Sequence, residues 1–180
     1  MENKNIAAME AAYNKRLERD FVEKLKRKTK KLSKDELQER IIKFMDDHCI
    51  CTLATCSDNI PRSTVLRYRS QGLAFYIFTE GGGKVKNIRA NPIVSVSICG
   101  EYSGFESVNC LQTWGKAEII KPHEKEKYEK IKKFISLGQR QDIKDAGIRE
   151  IPDMYLLKID ITRARFLSFP EGILNQVLDV

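Results

Sequence analysis

The chain has 180 residues, of which 42% are hydrophobic and 32% are charged, and it carries a formal net charge of +7. This length and balance fit one globular domain with a core, and they exclude a multi-domain assembly and a chain that is disordered throughout. No apolar run approaches the roughly 20 residues that cross a bilayer, and the N-terminus is too charged for a secretory signal peptide, so we expect a cytoplasmic protein without a membrane partner.

The beginning of the chain is densely charged. Residues 1–35 hold eleven basic and six acidic side chains, and the run KLKRKTKK at 24–31 is the densest basic stretch. We predict a charged helical N-terminal arm over 1–33, ahead of a domain over 34–180. Such an arm is either a solvated helix face or a surface for nucleic acid or another anion. We expect the solvated arm and no nucleic-acid partner.

An amphipathic helix and a strand come next. Ser33 and Glu36 form a capping-box pattern, and apolar residues then recur every four positions, which predicts a helix over 34–47. The segment 49–56 is short, apolar and β-branched, which predicts a buried strand. Three of the five cysteines lie in it, and this odd, clustered set does not fit a disulfide framework. The thiols are either small core residues or a reactive set, and we expect core residues.

The middle of the chain alternates turns with strands. Turn-forming residues predict connections at 57–59 and 70–72, and three consecutive glycines break the pattern at 81–83. The elements between them are a strand that opens at Pro61, a strand over 73–79, and a short helix over 84–91 that ends before Pro92.

The second half of the chain is again mostly strand. We predict strands over 93–99, 108–120, 154–161 and 164–169, with a helix that opens at Pro122 and is capped by Gly138. Gly115 predicts a bulge or a close approach within its strand. At least six strands without regular helix–strand alternation indicate an antiparallel sheet closed as a barrel with flanking helices, a mainly β (α+β) fold.

The residues offer no evident acid, base or nucleophile, so the catalytic residues are unknown at this point. His48 and His123 stand at predicted helix ends, where a capping or solvated role suits them, and neither belongs to a catalytic or zinc motif. The cysteine spacings match neither zinc nor iron–sulfur patterns. We therefore predict no metal site.

The glycine loop and the helix after it are the candidate phosphate-binding segment. Lys84 stands in the first helical turn, where its ammonium and the unpaired backbone N–H groups could meet one phosphate. Arg62, at the start of a neighbouring strand, could add a forked contact. The alternative is a flexible hairpin tip that leaves Lys84 in solvent.

Residues 51–120 carry a resemblance to a known family. Its specific parts are the strand TLAT with its turn and Pro61-Arg62, the pair Phe78-Thr79 ahead of the loop whose Lys84 precedes NIRANPIVS, and the strand WGKAE at 114–118. In this order and spacing the chain resembles the FMN-binding split β-barrels related to pyridoxamine 5′-phosphate oxidase, over about residues 37–169.

The resemblance implies an antiparallel split β-barrel that forms a homodimer and holds FMN at the subunit interface. It also implies the cofactor-binding residues. These are Arg62 and Lys84 for the flavin phosphate, Ser63, Thr64 and Val65 beside the ring, Phe78 and Thr79 at the ring and ribityl chain, and Gln112 and Trp114 on the strand that approaches from the partner subunit.

The function that the resemblance implies is that of an FMN-dependent oxidoreductase, flavin reductase-like or pyridoxamine 5′-phosphate oxidase-like, with an unidentified small substrate or a nicotinamide electron donor. Three features depart from the oxidase proper. Gly82-Gly83-Lys84 replaces Ser-Arg-Lys, Cys110 replaces a flavin-contacting glutamine, and the C-terminal substrate motif is missing after Phe169. We therefore do not expect oxidation of pyridoxamine phosphate. The alternative is a non-catalytic protein that holds FMN, the deazaflavin F420 or haem.

Overall fold

The computed structural model describes residues 29–135 and 154–180, together with Arg19 and Glu23. Almost all of the expected N-terminal arm lies outside these residues, and so does the expected helix cap at Gly138. The division into an arm over 1–33 and a domain over 34–180 stays a prediction.

Three α-helices and eight strands lie within the described residues. The helices are α1 (Lys34–Asp47), α2 (Gly83–Ala90) and α3 (Lys125–Ile135), with a 3₁₀ turn at Phe105–Ser107. The strands are β1 (Ile50–Ser57), β2 (Ile60–Arg67), β3 (Arg69–Ser70), β4 (Ala74–Thr79), β5 (Ile93–Cys99), β6 (Asn109–Ile120), β7 (Tyr155–Ser168) and β8 (Ile173–Asp179). None of the helices in the described part of the chain is long and apolar enough to cross a membrane.

The strands form one antiparallel sheet in the order β2-β1-β5-β6-β7-β4-β3, with β8 also paired to β7. The long strand β7 pairs with β4 along its first half and with β8 along its second half, which splits the sheet on that side. Tyr68 alone separates the two end strands β2 and β3, and its N–H donates to the carbonyl of Cys49 at 2.9 Å. The sheet therefore curls into a half-barrel, which confirms the predicted fold class.

Two helices close the interior of the curled sheet. The capping box of Ser33 and Glu36 is present at the start of α1, which buries four apolar side chains: Leu37, Ile41, Phe44 and Met45. Helix α2 contributes the buried side chains of Val85 and Ile88 to the same core. A second, smaller core lies under α3 and includes Tyr76, Tyr128 and Leu156.

The last part of the predicted sheet was wrong in two respects. The predicted strands 154–161 and 164–169 are one strand, β7, and β8 was not predicted. Opposite β6, Trp114 pairs with Arg163 and Gly115 pairs with Ile161, so that Thr162 is an extra, unpaired residue. The bulge reverses the inward–outward alternation at that residue, which made one strand resemble two.

Candidate functional site

The glycine loop connects β4 to α2 in a backbone conformation that requires glycine. Gly81 has φ 116° and Gly82 has φ 78°, both in the left-handed region. The N–H of Gly81 donates to the buried hydroxyl of Thr79 at 3.3 Å, which fixes the start of the loop. Gly82 is the N-cap residue of α2 and supplies no side-chain cap. The N–H groups of the first turn of α2 therefore lack an intrahelical or side-chain cap partner.

Helix α2 is held on the sheet by one polar side chain as well as by its buried face. The amide of Asn87 donates to the hydroxyl of Thr55 at 3.2 Å and accepts from the hydroxyl of Ser57 at 3.0 Å. Both partners belong to β1, and Thr55 pairs with Arg62 across the β1–β2 ladder. This contact sets the N-terminus of α2 beside Arg62.

Two cations meet at this helix N-terminus. Lys84 is half-buried, and its ammonium donates to the carbonyl of Gly81 at 3.0 Å. Burial and the nearby charge of Arg62 lower the pKa of Lys84, while Glu80 acts in the opposite direction. Among the described residues, neither Arg62 nor Lys84 forms an ion pair. The alternative of a hairpin tip with Lys84 in solvent is wrong.

Gly83 lets Arg62 approach the helix closely. A Cβ atom at this position would lie 2.9 Å from the guanidinium carbon of Arg62. The guanidinium therefore lies directly against the first residue of α2. Arg62, Lys84 and the first turn of α2 together form a cationic pocket, which we call the cationic cradle, with the chemistry to hold a phosphate.

The β2 residues after Arg62 alternate between the core and the outer face of the sheet. Thr64 is half-buried opposite the buried Leu53, whereas Ser63 and Val65 are exposed on the outer face. Small side chains continue this face across the sheet, because Ser63 pairs with Ala54 and Ala54 pairs with Ser95. The outer face of β2, β1 and β5 therefore carries a row of small side chains, formed by Ser63, Ala54 and Ser95.

Gln112 and Trp114 lie on the same outer face, but away from the cradle. Ser95 pairs with Trp114, so three strand spacings, about 14 Å, separate Trp114 from Ser63. The structure therefore brings Arg62 and Lys84 together and places Ser63 and Val65 on the opposite face of β2 from Arg62 and Thr64. Gln112 and Trp114 lie at a distance from Ser63 within one chain.

Trp114 has two cationic neighbours that sequence reasoning missed. The guanidinium carbons of Arg163 and Arg165 lie 5.9 and 5.8 Å from the centre of its ring, close enough for cation–π contact. The alternation in the segment TRARF could have indicated them, since Arg163 and Arg165 flank the buried Ala164.

The pair Phe78-Thr79 points to two sides of the sheet. Thr79 faces the core and holds the glycine loop, whereas Phe78 packs edge-to-face on Tyr128 under α3, with a centroid distance of 6.1 Å. The side chain of Phe78 therefore lies on the opposite side of β4 from the side chain of Thr79.

The histidines and thiols add no further catalytic group. His48 is the C-cap residue of α1, and its Nδ1 lies 2.8 Å from the carbonyl oxygen of Phe44, which confirms a capping role. His123 is exposed. Within residues 29–135 and 154–180, no group of three or more metal-ligating side chains is present. All five cysteines are free thiols.

Comparisons with solved structures support the fold. The Bacillus anthracis General Stress Protein 26 is 19% identical with a TM-score of 0.57, and the match covers 80% of this chain and 98% of that one. An FAD-binding protein from Mesorhizobium loti is 22% identical with a TM-score of 0.53, over 74% and 90% of the two chains. HutZ, the haem storage protein of Vibrio cholerae, is 15% identical with a TM-score of 0.55, over 69% and 89%.

The search of curated proteins gave no match. The family model described as pyridoxamine 5′-phosphate oxidase matches residues 37–168, from α1 to the end of β7. This match includes the cationic cradle, the small side chains of Ser63, Ala54 and Ser95, and the strand of Trp114. The chain therefore belongs to the pyridoxamine 5′-phosphate oxidase-like family of split β-barrels.

Proposed function

We propose that this protein is an FMN-dependent oxidoreductase that binds the flavin phosphate in the cationic cradle and works as a cytoplasmic homodimer on a small substrate. The observation that carries the proposal is the convergence of Arg62 and Lys84 on the uncapped N-terminus of α2. Five free thiols agree with a reducing compartment.

The chemistry of the cradle fits a phosphate ester. Partial burial and the nearby charge of Arg62 lower the pKa of Lys84, and a bound dianion would relieve the repulsion between the two cations. The guanidinium of Arg62 offers a planar set of donors, and the first turn of α2 adds backbone N–H groups. A neutral ligand would gain little from this arrangement.

When it is bound, flavin supplies hydride or electron transfer through its N5 atom. In the proposal, Arg62 and Lys84 anchor the phosphate, and Thr79 holds the glycine loop that leads into Lys84. Ser63, Thr64 and Val65 orient the ring along β2. Gln112 and Trp114, about 14 Å from Ser63 in the same chain, would instead approach the flavin of a second copy.

The test of the cradle is the affinity of FMN for the Lys84→Ala variant. Removing one charge-assisted contact costs about 1.5–3 kcal/mol. We therefore expect the dissociation constant of FMN, measured by calorimetry or flavin fluorescence, to rise roughly tenfold to hundredfold. Lys86, which is exposed in the same helix, supplies the matched control Lys86→Ala, and this variant should bind FMN almost as the unchanged protein does.

Riboflavin separates phosphate recognition from ring recognition. Because it lacks the phosphate, it should bind the unchanged protein and Lys84→Ala equally well. If the Lys84 and Lys86 variants bound FMN with equal affinity, the cationic cradle would not be the site of the flavin phosphate.

The likeness of fold to a haem storage protein and to an FAD-binding protein favours a second candidate function, a protein that holds a cofactor without turnover. The absorbance spectrum of the purified protein distinguishes flavin from haem and from F420. The oxidoreductase proposal further expects the bound flavin to be reduced by a nicotinamide cofactor or a flavin system and then reoxidised. Flavin that stays oxidised with each donor would favour the non-catalytic alternative.

A further inference from the structure

Two thiols face each other across the β5–β6 ladder. Cys99 at the end of β5 is the register partner of Cys110 near the start of β6. Cys99 is exposed and Cys110 is half-buried. Neither residue belongs to the cationic cradle, which lies at the other end of the sheet.

The hydrogen bonds of the ladder define the kind of pair that they form. The N–H of Gly100 donates to the carbonyl of Asn109 at 2.8 Å, and at the far end the N–H of Ala117 donates to the carbonyl of Pro92 at 2.8 Å, so these opposite residues are hydrogen-bonded pairs. Hydrogen-bonded pairs alternate with non-hydrogen-bonded pairs in an antiparallel ladder. Because Cys99 and Cys110 lie one position from the pair Gly100–Asn109, they are a non-hydrogen-bonded pair.

This pair type suits a disulfide. The Cα atoms of a non-hydrogen-bonded pair are about 4.5 Å apart, and their side chains lie on the same face of the sheet. Disulfides span Cα separations of about 4.4–6.8 Å. The two sulfur atoms can therefore bond without a shift of the strands.

The surroundings rank the thiols by reactivity. Burial and the neighbouring Cys99 raise the pKa of Cys110, so the exposed Cys99 is the thiol that meets an oxidant first. Cys51 is the least reactive, because it is buried and burial raises its pKa to about 12. Cys49 and Cys56 are half-buried.

We propose that Cys99 and Cys110 form a reversible cross-strand disulfide, with a low-molecular-weight disulfide such as oxidised glutathione as the oxidant. The thiolate of Cys99 attacks one sulfur of the oxidant and releases one glutathione thiolate. The thiolate of Cys110 then attacks the Cys99 sulfur of the mixed disulfide and releases the second glutathione. Two protein thiols are oxidised, one glutathione disulfide is reduced to two glutathiones, and the protein protons pass to the released thiolates.

The bond would connect the end of β5 to the start of β6, across the loop 100–108, on the outer face of the sheet. Cys110 shares that face with Gln112 and Trp114, since side chains alternate along β6. The disulfide would therefore form under oxidising conditions and break under reducing conditions, on the same face of the sheet as Gln112 and Trp114. The inference depends on the ladder geometry and on the exposure of Cys99, and it does not depend on whether the protein binds FMN.

The test uses the full-length protein, reduced first, exposed to oxidised glutathione, and then alkylated in acid-quenched samples. We expect the number of alkylated thiols to fall from five to three. Both cysteines lie in the tryptic peptide 90–116, which should be two hydrogens lighter and unalkylated. Cleavage after Glu101 and Glu106 should leave its halves joined until a dithiol reductant separates them.

Variants distinguish the cross-strand bond from other thiol chemistry. Cys110→Ser should retain one glutathione on Cys99, because the second thiol that displaces it is absent. A variant with both Cys49→Ser and Cys56→Ser should still form the bond. Retention of glutathione on Cys99 in the unchanged protein, or a covalent dimer on a non-reducing gel instead of the internal bond, would overturn the proposal.

Discussion

Gly83 is the residue at which the cationic cradle is most tightly packed. A methyl group there would lie within 2.9–3.1 Å of three guanidinium atoms of Arg62, while the backbone at Gly83 is not left-handed. Gly83→Ala should therefore fold normally but push the guanidinium away from the first turn of α2. We expect FMN affinity to fall several-fold and riboflavin affinity to stay the same, both measured by calorimetry.

A double-mutant cycle tests the cause of this effect. If Gly83→Ala acts by displacing Arg62, it should cost nothing further in a protein that already carries Arg62→Ala. Additive losses in the double variant would show that the methyl group disturbs the phosphate site by another route. The melting temperature should not fall in the single variant, because alanine suits a helix better than glycine does.

The residues of the cradle were recognisable from the sequence, whereas their packing was not. A lysine after three glycines and an arginine at the start of a strand indicate anion chemistry by type and spacing. The contact of Arg62 with Gly83 depends on how Asn87 fixes α2 to Thr55 and Ser57. The hydrogen bonds of Asn87 join residues that are 30 and 32 positions apart in the chain, and no local sequence pattern indicates them.

At the scale of elements, the sequence predicted α1, the strands β1, β2, β4, β5 and β6, and the irregularity at Gly115, but not the short strand β3. A Cβ atom at Gly115 would lie 2.4 Å from the carbonyl oxygen of Asp160, so the two backbones meet there. The sequence did not indicate β8, because Asn175 has φ 49° and interrupts the alternation of buried and exposed residues. Bulged strands lose the period that identifies them.

One ion pair connects α1 to the turn before β8. The guanidinium of Arg40 donates to both carboxylate oxygens of Glu171, and this contact is the main cause that lowers the pKa of Glu171. Both side chains are partly exposed, at 23% and 34%. The ion pair therefore contributes about 1 kcal/mol to the stability, which is less than the loss expected on breaking a fully buried pair.

The pH dependence of stability follows from the sign of this shift. A carboxylate with a lowered folded-state pKa stabilises the protein above its unfolded pKa, about 4.3, and the contribution disappears as pH falls through the lower folded value. Glu171→Gln should lower the free energy of unfolding at pH 7 by about 1 kcal/mol. It should also make the free energy of unfolding fall less steeply as the pH drops from about 5 to about 3. Urea titrations at several pH values measure both effects.

The more exposed pair Arg163–Asp179 supplies the control, since its carboxylate is 78% exposed. Asp179→Asn should change the stability less than Glu171→Gln does. If the free energy of unfolding of Glu171→Gln fell with pH as steeply as that of the unchanged protein, other carboxylates would be the main cause of acid unfolding.

At the scale of the whole molecule, several large apolar side chains are exposed on the outer face of the sheet. Ile50, Val65 and Ile93 are each more than half exposed, and they share this face with the small side chains beside the cradle. A second copy that covered the face would bury them and bring Gln112 and Trp114 of one chain toward the cradle of the other.

We therefore expect sedimentation at micromolar concentration to give twice the 20.8 kDa mass of the chain. Ser97 is exposed on β5 in the middle of the outer face, and Ser97→Lys should dissociate the dimer because it would bury an unpaired charge. FMN affinity should fall with it, since Gln112 and Trp114 would no longer reach the flavin of the other copy. Lys130→Glu, on the exposed side of α3, should change neither the mass nor the affinity. A monomer that still binds FMN tightly would contradict both the dimer and the placement of the flavin between two copies.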